Sequence, residues 1–599
     1  MRNEKNKIDN VRHSLAHLLA CAVLQKYPKA KLGIGPTIEH GFYYDILFTN
    51  THESGHKLAR ITDADFPELE KTMRKLIAQK LPFSGRKVTL AEAKKIFKDQ
   101  PFKLDLIKAF TSPPAGGKKQ PLTVYKTGEV FLDLCRGGHV KNTSEIDPDA
   151  FTLTHLAGAY WRGSEKNPQL TRIYGLAFNT KKELDTHLAM LDEAKKRDHR
   201  KLGVELELFT FDERVGKGLP LWLPKGTAVK NEIERLAMEK EEQYGYVRVS
   251  TPHLAKQSLY ETSGHLPYYA DGMYPPMKMD DGAYYLKAMN CPHHHVIYAS
   301  RSRSYRDLPL RLAEYGTVYR NELSGTLAGL LRVRMLSMND AHIYCRKDQI
   351  EEEFKRVLAL NLEYFKLFGL KNYSFRLSLG DPKNKEKFVN EPANWKYAEG
   401  VLRKILKASG VKFAETRGEA AFYGPKVDVQ FTSVIGREET MSTIQLDFAA
   451  KKRFNLAYQD KGGKENHEVF VIHRAPLSTH ERFMAFLLEH YAGDFPVWLA
   501  PVQVKVLPVA NAHTAYAEKV FAALIERRIR AELSPANETL GRRIRAAELQ
   551  KIPYLLVVGE KEQSAQSVNV RKRHEKETKN VSLERFTKTL AETIAARKE

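Results

Sequence analysis

The chain has 599 residues, room for about four domains at roughly 150 residues each. Hydrophobic residues make up 42%, aromatic 10% and charged 28%, which excludes a largely disordered, collagen-like or fibrous chain. Lys and Arg number 96 against 73 Asp and Glu, a formal charge of +23 whose field favours polyanions such as nucleic acid or an anionic membrane surface. No apolar run approaches the roughly 18 to 20 residues that cross a bilayer. The polar N-terminus MRNEKNKIDN carries no signal-peptide core. Four widely spaced cysteines (Cys21, Cys135, Cys291, Cys345) make no disulfide framework, so a cytoplasmic protein with reduced thiols is expected.

Taken in chain order, Ile8, Val11, Leu15, Leu18, Leu19 and Val23 recur at helical spacing, interrupted by His13 and His17 on a shared helical face. Residues 1–180 mix short strands with helices. IGPTIEHGFYYDILF and EVFLDLC read as strand-bearing, residues 63–81 and 89–99 as helices, and FTSPPAGGKKQP (110–121) as a turn-rich surface loop. Asp133 and Cys135 alternate along a strand that ends at Gly137 and Gly138, followed by His139. By spacing alone, the two helical histidines, Cys135 and His139 fit a Cys/His zinc site, or simply histidines exposed on a helix. An HExxH protease is excluded because Ser14 follows His13.

Residues 181–203 are charged, amphipathic and free of internal Pro, and read as a single helical connector. From 204 to 497 long helices alternate with β-rich stretches joined by short turns, which implies an antiparallel sheet. In LRVRMLSMNDAHIYC the strand period puts Arg332, Arg334, Leu336, Met338, Asp340, His342 and Tyr344 on one face. In the preceding strand Val318, Arg320 and Glu322 share a face, with SGTLAGL (324–330) joining the two. Arginines beside carboxylates can grip phosphate bidentately and hold an amine or a base edge, a nucleotide platform; a salt-bridged exposed sheet is the plainer alternative. Cys291 precedes Pro292 at a helix start, and His342 and His473 end strands, so the three could form an open zinc site; their long spacing makes that a weak signal, and His293, His294 and His295 a decoy. The tail from 498 shows VQVKVLPV, a helix over 513–532, a second over 538–550, then IPYLLVVG and SVNVRKR, a compact basic α/β domain.

The strings AMNCPHHH, SYRDLPLRLAEYGTVYRNELSG, RVRMLSMNDAHIYC, AFYGPKVDVQF, IQLDF and IHRAPLSTHERF, in this order, resemble the catalytic core of bacterial-type threonyl-tRNA synthetases, class II aminoacyl-tRNA synthetases. HSLAHLLA, DLCRGGHV, AGAYWRG, DHRKLG, FPVWLAPVQV and QKIPYLLVVGEKE extend the resemblance over nearly the whole chain. It implies an α+β multidomain protein: an editing domain at 1–180, a linker helix at 181–203, a class II catalytic domain with an antiparallel sheet at 204–497, and an α/β anticodon-binding domain at 498–599. The implied reaction is ATP-dependent attachment of threonine to tRNA(Thr) through a threonyl-adenylate, by a homodimer whose interface motif includes Pro252.

The resemblance assigns Arg320 to the α-phosphate of ATP, Arg482 to the γ-phosphate with Mg²⁺ sharing the charge, and Glu322 to the adenine amino group. Cys291, His342 and His473 would hold Zn²⁺, which accepts the threonine amino and hydroxyl groups; Asp340 would take the hydroxyl's hydrogen bond and Tyr423 would place the amine. Arg332, Lys426 and Gln445 match further substrate-binding positions. Valine lacks the hydroxyl and would leave polar groups unpaired, a penalty of about 10⁴ to 10⁵, whereas serine lacks only a methyl, worth roughly 1 to 3 kcal/mol. Serine must leak through, which calls for a hydrolytic second sieve. His13, His17, Lys103, Asp133, Cys135 and His139 match the family's editing site, which argues for metal-free acid-base hydrolysis of seryl-tRNA. Asn537, Glu562 and Arg571 match anticodon-contact positions.

The sequence departs from the commonest family pattern in several places. It begins directly at the editing helix, where that form has a ubiquitin-like domain first. Leu336 and Met338 stand where a Phe and a Gln are frequent, Thr440 replaces a Gln, Ala328 a His, Ser478 a Gly and Gly138 a Pro. The rival from another class is a non-catalytic tRNA- or mRNA-binding paralogue, which would have no need of the zinc and arginine sets. A stand-alone zinc hydrolase using residues 1–180 leaves the rest of the chain without a role.

Overall fold

The structure, a computed structural model, describes residues 2–48, 61–111, 121–433 and 438–597, so most of the turn-rich stretch at 110–121 lies outside the described residues. The chain divides into two compact units, Met1–Leu191 and Asp192–Glu599.

In the first unit helix α1 (Arg2–Lys26) buries the apolar stripe that its sequence spells out, with Leu15, Leu18, Leu19 and Val23 at most 1% exposed. The stripe packs on strand β1 (Gly41–Leu47) through Phe42, Tyr44 and Ile46 and on helix α2 (Phe66–Ala78) through Phe66, Leu69 and Met73. A second sheet pairs β2 (Phe83–Lys87) with β3 (Thr123–Thr127) and β3 with β4 (Phe131–Leu134). Helix α3 (Pro101–Thr111) carries Lys103 among its buried residues. Strands β5 (Phe151–Tyr160) and β6 (Gln169–Ala177) complete the β1 sheet. Strand β4 stops at Leu134, so Cys135 lies one residue past it rather than within it; Gly137 (φ 98°) and Gly138 (φ 87°) then turn the chain through the left-handed region. Proline, fixed near −65°, could not adopt the Gly138 conformation.

The expected single connector is two helices, α4 (Lys181–Arg197) and α5 (His199–Glu205). Asp198 leaves helical geometry (ψ 119°) and its carboxylate accepts the Arg200 amide, so an N-cap interrupts what periodicity alone reads as continuous.

The second unit is built on an eight-stranded sheet. Helix α6 (Pro224–Gln243) is followed by β7 (Val247–Arg248), helix α7 (Cys291–Ala299), β8 (Leu310–Tyr319) and β9 (Met335–Arg346). Helix α8 (Ile350–Leu367), β10 (Tyr373–Leu379), helix α9 (Pro392–Ala408), β11 (Phe413–Arg417), β12 (Lys426–Thr432), β13 (Glu438–Asp447) and β14 (Val469–Ala475) follow, and helix α10 (His480–Tyr491) closes the domain. The order is β7-β8-β9-β14-β13-β12-β10-β11. Its six central strands are antiparallel as expected, whereas the edge pairs β7/β8 and β10/β11 are parallel. Ile343, Ile444, Leu446 and Ile472 face a core shared with Phe354 and Val357 of α8 and Leu402 and Ile405 of α9.

Two sequence expectations about β8 and β9 need correction. Arg332 and Arg334 precede β9, and Arg320 and Glu322 follow β8, so none of the four belongs to a strand. The backbone still runs alongside, Arg320 N donating to Arg334 O at 2.9 Å. Arg334 turns away from the shared face, its Nε donating to the Glu322 carbonyl at 2.9 Å.

The C-terminal part orders its sheet around β15 (Val504–Pro508), paired in parallel with β16 (Ala531–Leu533) and β17 (Tyr554–Val558). Helix α11 (Thr514–Glu526) ends earlier than its periodicity suggests: Arg528 enters the left-handed region (φ 58°) and the chain returns as β16. Helix α12 (Leu540–Leu549), the short α13 (Glu560–Ser564), β18 (Ser567–Lys572), β19 (Thr578–Ser582) and α14 (Leu583–Ala595) complete it.

Candidate active site

Strand register assembles the centre of the second unit. His342 on β9 is opposite His473 on β14, and His473 is opposite Gln445 on β13, so three neighbouring strands present these side chains in one row. Period two then extends the row down β9 through Asp340, Met338 and Leu336. Helix α7 brings Cys291 to the row, its Pro292 in the first turn. These residues line a cavity of about 470 Å³ together with Arg320, Glu322, Arg332, Tyr423 and Arg482. Lys426 is outside that lining, its Nζ 3.1 Å from Asp428 Oδ2.

One end of the cavity is a cation-ligand set. The donor atoms of Cys291, His342 and His473 lie within 4.8 Å of one another. Burial, with Asp340 and Asp447 nearby, pushes the Cys291 thiol well above its ordinary range, and burial beside His473 and His294 pulls His342 well below its own. A buried cation reverses the first effect by stabilising thiolate and is compatible with a neutral imidazole, so the donors suit a divalent metal. One thiol with two imidazoles and room for further ligands is a zinc set rather than a magnesium one. His473 Nε2 lies 3.1 Å from Asp447 Oδ2, and His342 Nδ1 lies 2.8 Å from His294 Nδ1, so each ring keeps its other nitrogen for the site. Asn290 Nδ2 donates to Asp340 Oδ2 at 3.0 Å, and burial raises the Asp340 carboxyl. The Tyr423 hydroxyl donates to Gln445 Oε1 while its ring stacks on His473 at 5.0 Å.

The other end is cationic. The Arg320 side chain reaches Met289 Sδ from Nη2 at 3.6 Å, and its buried Nε has no hydrogen-bond partner among the described residues. Arg482, in the first turn of α10, donates to the carbonyls of Leu331 and Thr440 at 3.3 Å; burial and then Arg320 pull its guanidinium down. Two arginines that repel one another in one cavity are arranged for an anion. Glu322 is held by Arg332, Nη2 to Oε2 at 2.8 Å. Ser478, two residues before α10, has φ 54°, which accounts for the glycine frequent at that position.

In the first unit His13, His17, Lys103, Asp133 and Cys135 line a cavity of about 460 Å³. Cys135 Sγ lies 3.5 Å from His13 Nε2 and 3.2 Å from His139 Nε2. His139 is not part of the cavity lining; it stacks between His13 at 4.2 Å and Phe83 at 4.9 Å. Lys103 Nζ and Asp133 Oδ1 form a buried pair at 2.6 Å, joined by the Tyr44 hydroxyl, which donates to Asp133 Oδ2 at 2.5 Å. Burial lowers all three histidines and raises Cys135 to about 11, so the cluster offers neutral imidazoles and a protonated thiol, the equipment of a general base rather than a thiolate nucleophile. The four His and Cys donors also lie within 4.8 Å of one another, so geometry alone leaves the metal alternative standing.

The three anticodon candidates are less concentrated. Asn537 is exposed between β16 and α12, the Glu562 carboxylate accepts the Gly559 amide at 3.0 Å, and Arg571 on β18 pairs with Glu548 at 2.8 Å.

Several contributors escaped sequence reasoning. Ser14, used there only to exclude a protease motif, accepts the Val140 amide at 3.1 Å and lies 3.3 Å from His139 Nδ1. Asn290 directly precedes Cys291, and Asp447 sits in the quoted IQLDF, so position next to a motif was the available signal. His293, His294 and His295 stand outside the Cys291/His342/His473 set, but His294 contacts His342 and His295 lies 2.9 Å from the Tyr344 hydroxyl.

Three family models match the chain: tRNA synthetase class II core domain (G, H, P, S and T) at 276–491, anticodon binding domain at 503–593, and threonyl and alanyl tRNA synthetase second additional domain at 122–174. The chain is 49% identical over 590 residues to a threonine-tRNA ligase of Geobacillus kaustophilus, covering 98% of this chain and 88% of the relative. It is 48% identical over 581 residues to threonine-tRNA ligase 1 of Bacillus subtilis, covering 96% and 87%. Among solved structures it is similar to the RNA binding domain of threonyl-tRNA synthetase from Cryptosporidium parvum, with TM-score 0.63, 34% identity, and 66% of this chain and 98% of that one covered.

Proposed function

Because the chain belongs to the threonine-tRNA ligase family, an ATP-using class II synthetase family, we propose that the cavity between Cys291 and Arg482 is where it activates threonine. The observation that carries this reading is the single cavity that holds a Cys/His₂ donor set at one end and the mutually repelling Arg320 and Arg482 at the other. Cys291, His342 and His473 hold zinc. The ion supplies a Lewis-acid anchor for the threonine amine and hydroxyl. Asp340, oriented by Asn290, accepts the hydroxyl's hydrogen bond, and Tyr423 with Gln445 walls the amine side. Arg320 and Arg482 bind the ATP phosphates with Mg²⁺, so that the threonine carboxylate meets the α-phosphorus in line with departing pyrophosphate. Glu322, shared with Arg332, takes the adenine amino group. Leu336 covers the base with an aliphatic face, and Met338 offers no polar contact to the threonine carboxylate.

The His13/His17/Cys135 cavity hydrolyses seryl-tRNA: a neutral imidazole takes a proton from water while the Lys103–Asp133 pair supplies a fixed field. The domain 498–599 reads the anticodon, Asn537, Glu562 and Arg571 contributing. The working protein is a cytoplasmic homodimer joined through the Pro252 segment. Among the described residues no helix is long and apolar enough to cross a membrane.

The test is amino-acid-dependent ATP–pyrophosphate exchange with threonine, serine and valine. Strong exchange with threonine, weaker with serine and negligible with valine is expected, and Cys291→Ala abolishes it. A folded, zinc-loaded protein that binds tRNA and exchanges with none of the three would instead be an RNA-binding paralogue.

A further inference from the structure

An imidazole binds a metal only through a nitrogen that carries no proton, so a site with two histidine ligands needs both tautomers set correctly. For His473 the device is direct. Asp447 accepts from Nε2 at 3.1 Å and is itself held by the Ala449 and Ala450 amides at 2.7 and 3.0 Å, which leaves the lone pair on Nδ1. His342 is set through a longer chain. Its Nδ1 lies 2.8 Å from His294 Nδ1, and His294 Nε2 lies 3.0 Å from Glu314 Oε2.

We propose that Glu314, acting through His294, is a positioning residue for zinc: it fixes the His342 tautomer that presents Nε2 to the metal. This rests on the reading that Cys291, His342 and His473 hold zinc. The direction of each hydrogen bond follows from the Glu314 end, because an ionised carboxylate can only accept. His294 Nε2 must therefore carry the proton. With that single proton on the ring, Nδ1 is bare and can only accept, so the proton between the two rings belongs to His342 Nδ1. His342 Nε2 is left with its lone pair in the cavity. Reversing the chain at any point would put a proton on Nε2 and close the site to a cation.

The surroundings hold Glu314 in the accepting state. Thr251 donates its amide at 3.1 Å and its hydroxyl at 2.9 Å, and Lys287 Nζ approaches to 3.4 Å. Burial would raise this carboxyl, and the hydrogen bond from His294 followed by the charge of Lys287 outweigh that and hold it below its ordinary range. Lys287 and His294 are fully buried, and Glu314 is 6% exposed, so water cannot substitute for a missing partner. A buried carboxylate, lysine and histidine are costly to bring together for packing alone. The strand register supplies the reach: Glu314 is opposite Asp340 on β9, two residues from His342.

The experiment measures zinc affinity of the full-length protein by competition with a chromophoric chelator, with melting of each zinc-free form as a control for fold. Wild type is expected to hold a zinc that Cys291→Ala loses. Glu314→Gln and His294→Leu are expected to weaken zinc binding by about 10- to 100-fold. His294→Asn keeps an amide oxygen close to the Nδ1 position, able to accept from His342, and should retain affinity within a few-fold of wild type. A purely structural role predicts instead that the Asn and Leu variants behave alike. The proposal is overturned if Glu314→Gln and His294→Leu bind zinc within twofold of wild type, or if His294→Asn loses as much as His294→Leu. If His294→Leu does not fold, Glu314→Gln against wild type decides. Zinc that survives Cys291→Ala together with Cys135→Ala would sink the ligand assignment on which the relay rests, an outcome distinct from unchanged affinity in the Glu314 and His294 variants.

Discussion

Ser478 and Glu481 show how single residues next to the proposed phosphate site carry cost. Ser478 holds φ 54°, where a β-carbon is penalised, so Ser478→Gly is expected to stabilise the fold by about 0.5–1 kcal/mol, read as a higher melting temperature with unchanged exchange kinetics. Glu481 is 1% exposed, its Oε2 accepting the Ser337 amide at 3.1 Å, and burial pushes its carboxyl up to about 7. With a folded value above the ordinary 4.5, the native state binds the extra proton in between, so this group's stabilisation is complete below 4.5 and lost as pH rises through about 7. Glu481→Gln should therefore remove a decline of about 3 kcal/mol from denaturation curves measured across that window; an unchanged pH slope would refute it. The alternation in RVRMLSMNDAHIYC exposes Asp340 and His342 as a polar face, and that much is readable. Their partners are not, since Asn290, His294 and Glu314 come from other segments, and nothing local states that a glutamate on β8 will meet a histidine on α7.

At the scale of elements, helix α10 is an arginine mount. Thr479 caps it by accepting the Arg482 amide at 3.1 Å, which fixes the turn that aims the guanidinium. Thr479→Ala is expected to cost about 1 kcal/mol of stability and to raise the KM for ATP more than the KM for threonine, measured by pyrophosphate exchange. An equal rise in both would show that the cap supports the whole cavity rather than its phosphate end. Element types were largely readable and boundaries were not. The 181–203 segment lacks proline, so nothing but the Asp198 side chain marks its break, and the 513–532 helix overran because Ile529 and Ala531 continue an apolar pattern that the left-handed Arg528 has already redirected into a strand. The parallel edges of the large sheet have no hairpin turn to announce them.

For the whole molecule, the separation into two compact units predicts separable chemistries. His17→Ala should leave threonine exchange intact while abolishing hydrolysis of seryl-tRNA, whereas Cys291→Ala should do the reverse; loss of both activities in either variant would contradict the division. Zinc content sharpens the same point. The proposed function expects one zinc per chain, insensitive to Cys135→Ala, and a second equivalent lost in that variant would reassign the first unit's cluster to a metal. Overall charge pointed to a polyanionic partner, and motif order to the family; the grouping of Cys291, His342 and His473 depends on strand pairing across long stretches of sequence.

That pairing gives the enzyme a particular way to fail. His342, His473 and Gln445 stand in one row only because β9, β14 and β13 are in register, and the period of a strand is two. A slip of one residue in β14 would turn His473 away from the row, and a slip that brings Ile472 into its place would set an apolar side chain opposite His342. Such a chain would lose the proposed metal anchor and with it the proposed hold on the amino acid. Errors of assembly are thereby converted into silence: a misregistered copy makes no product, and the genetic code is spared its mistakes.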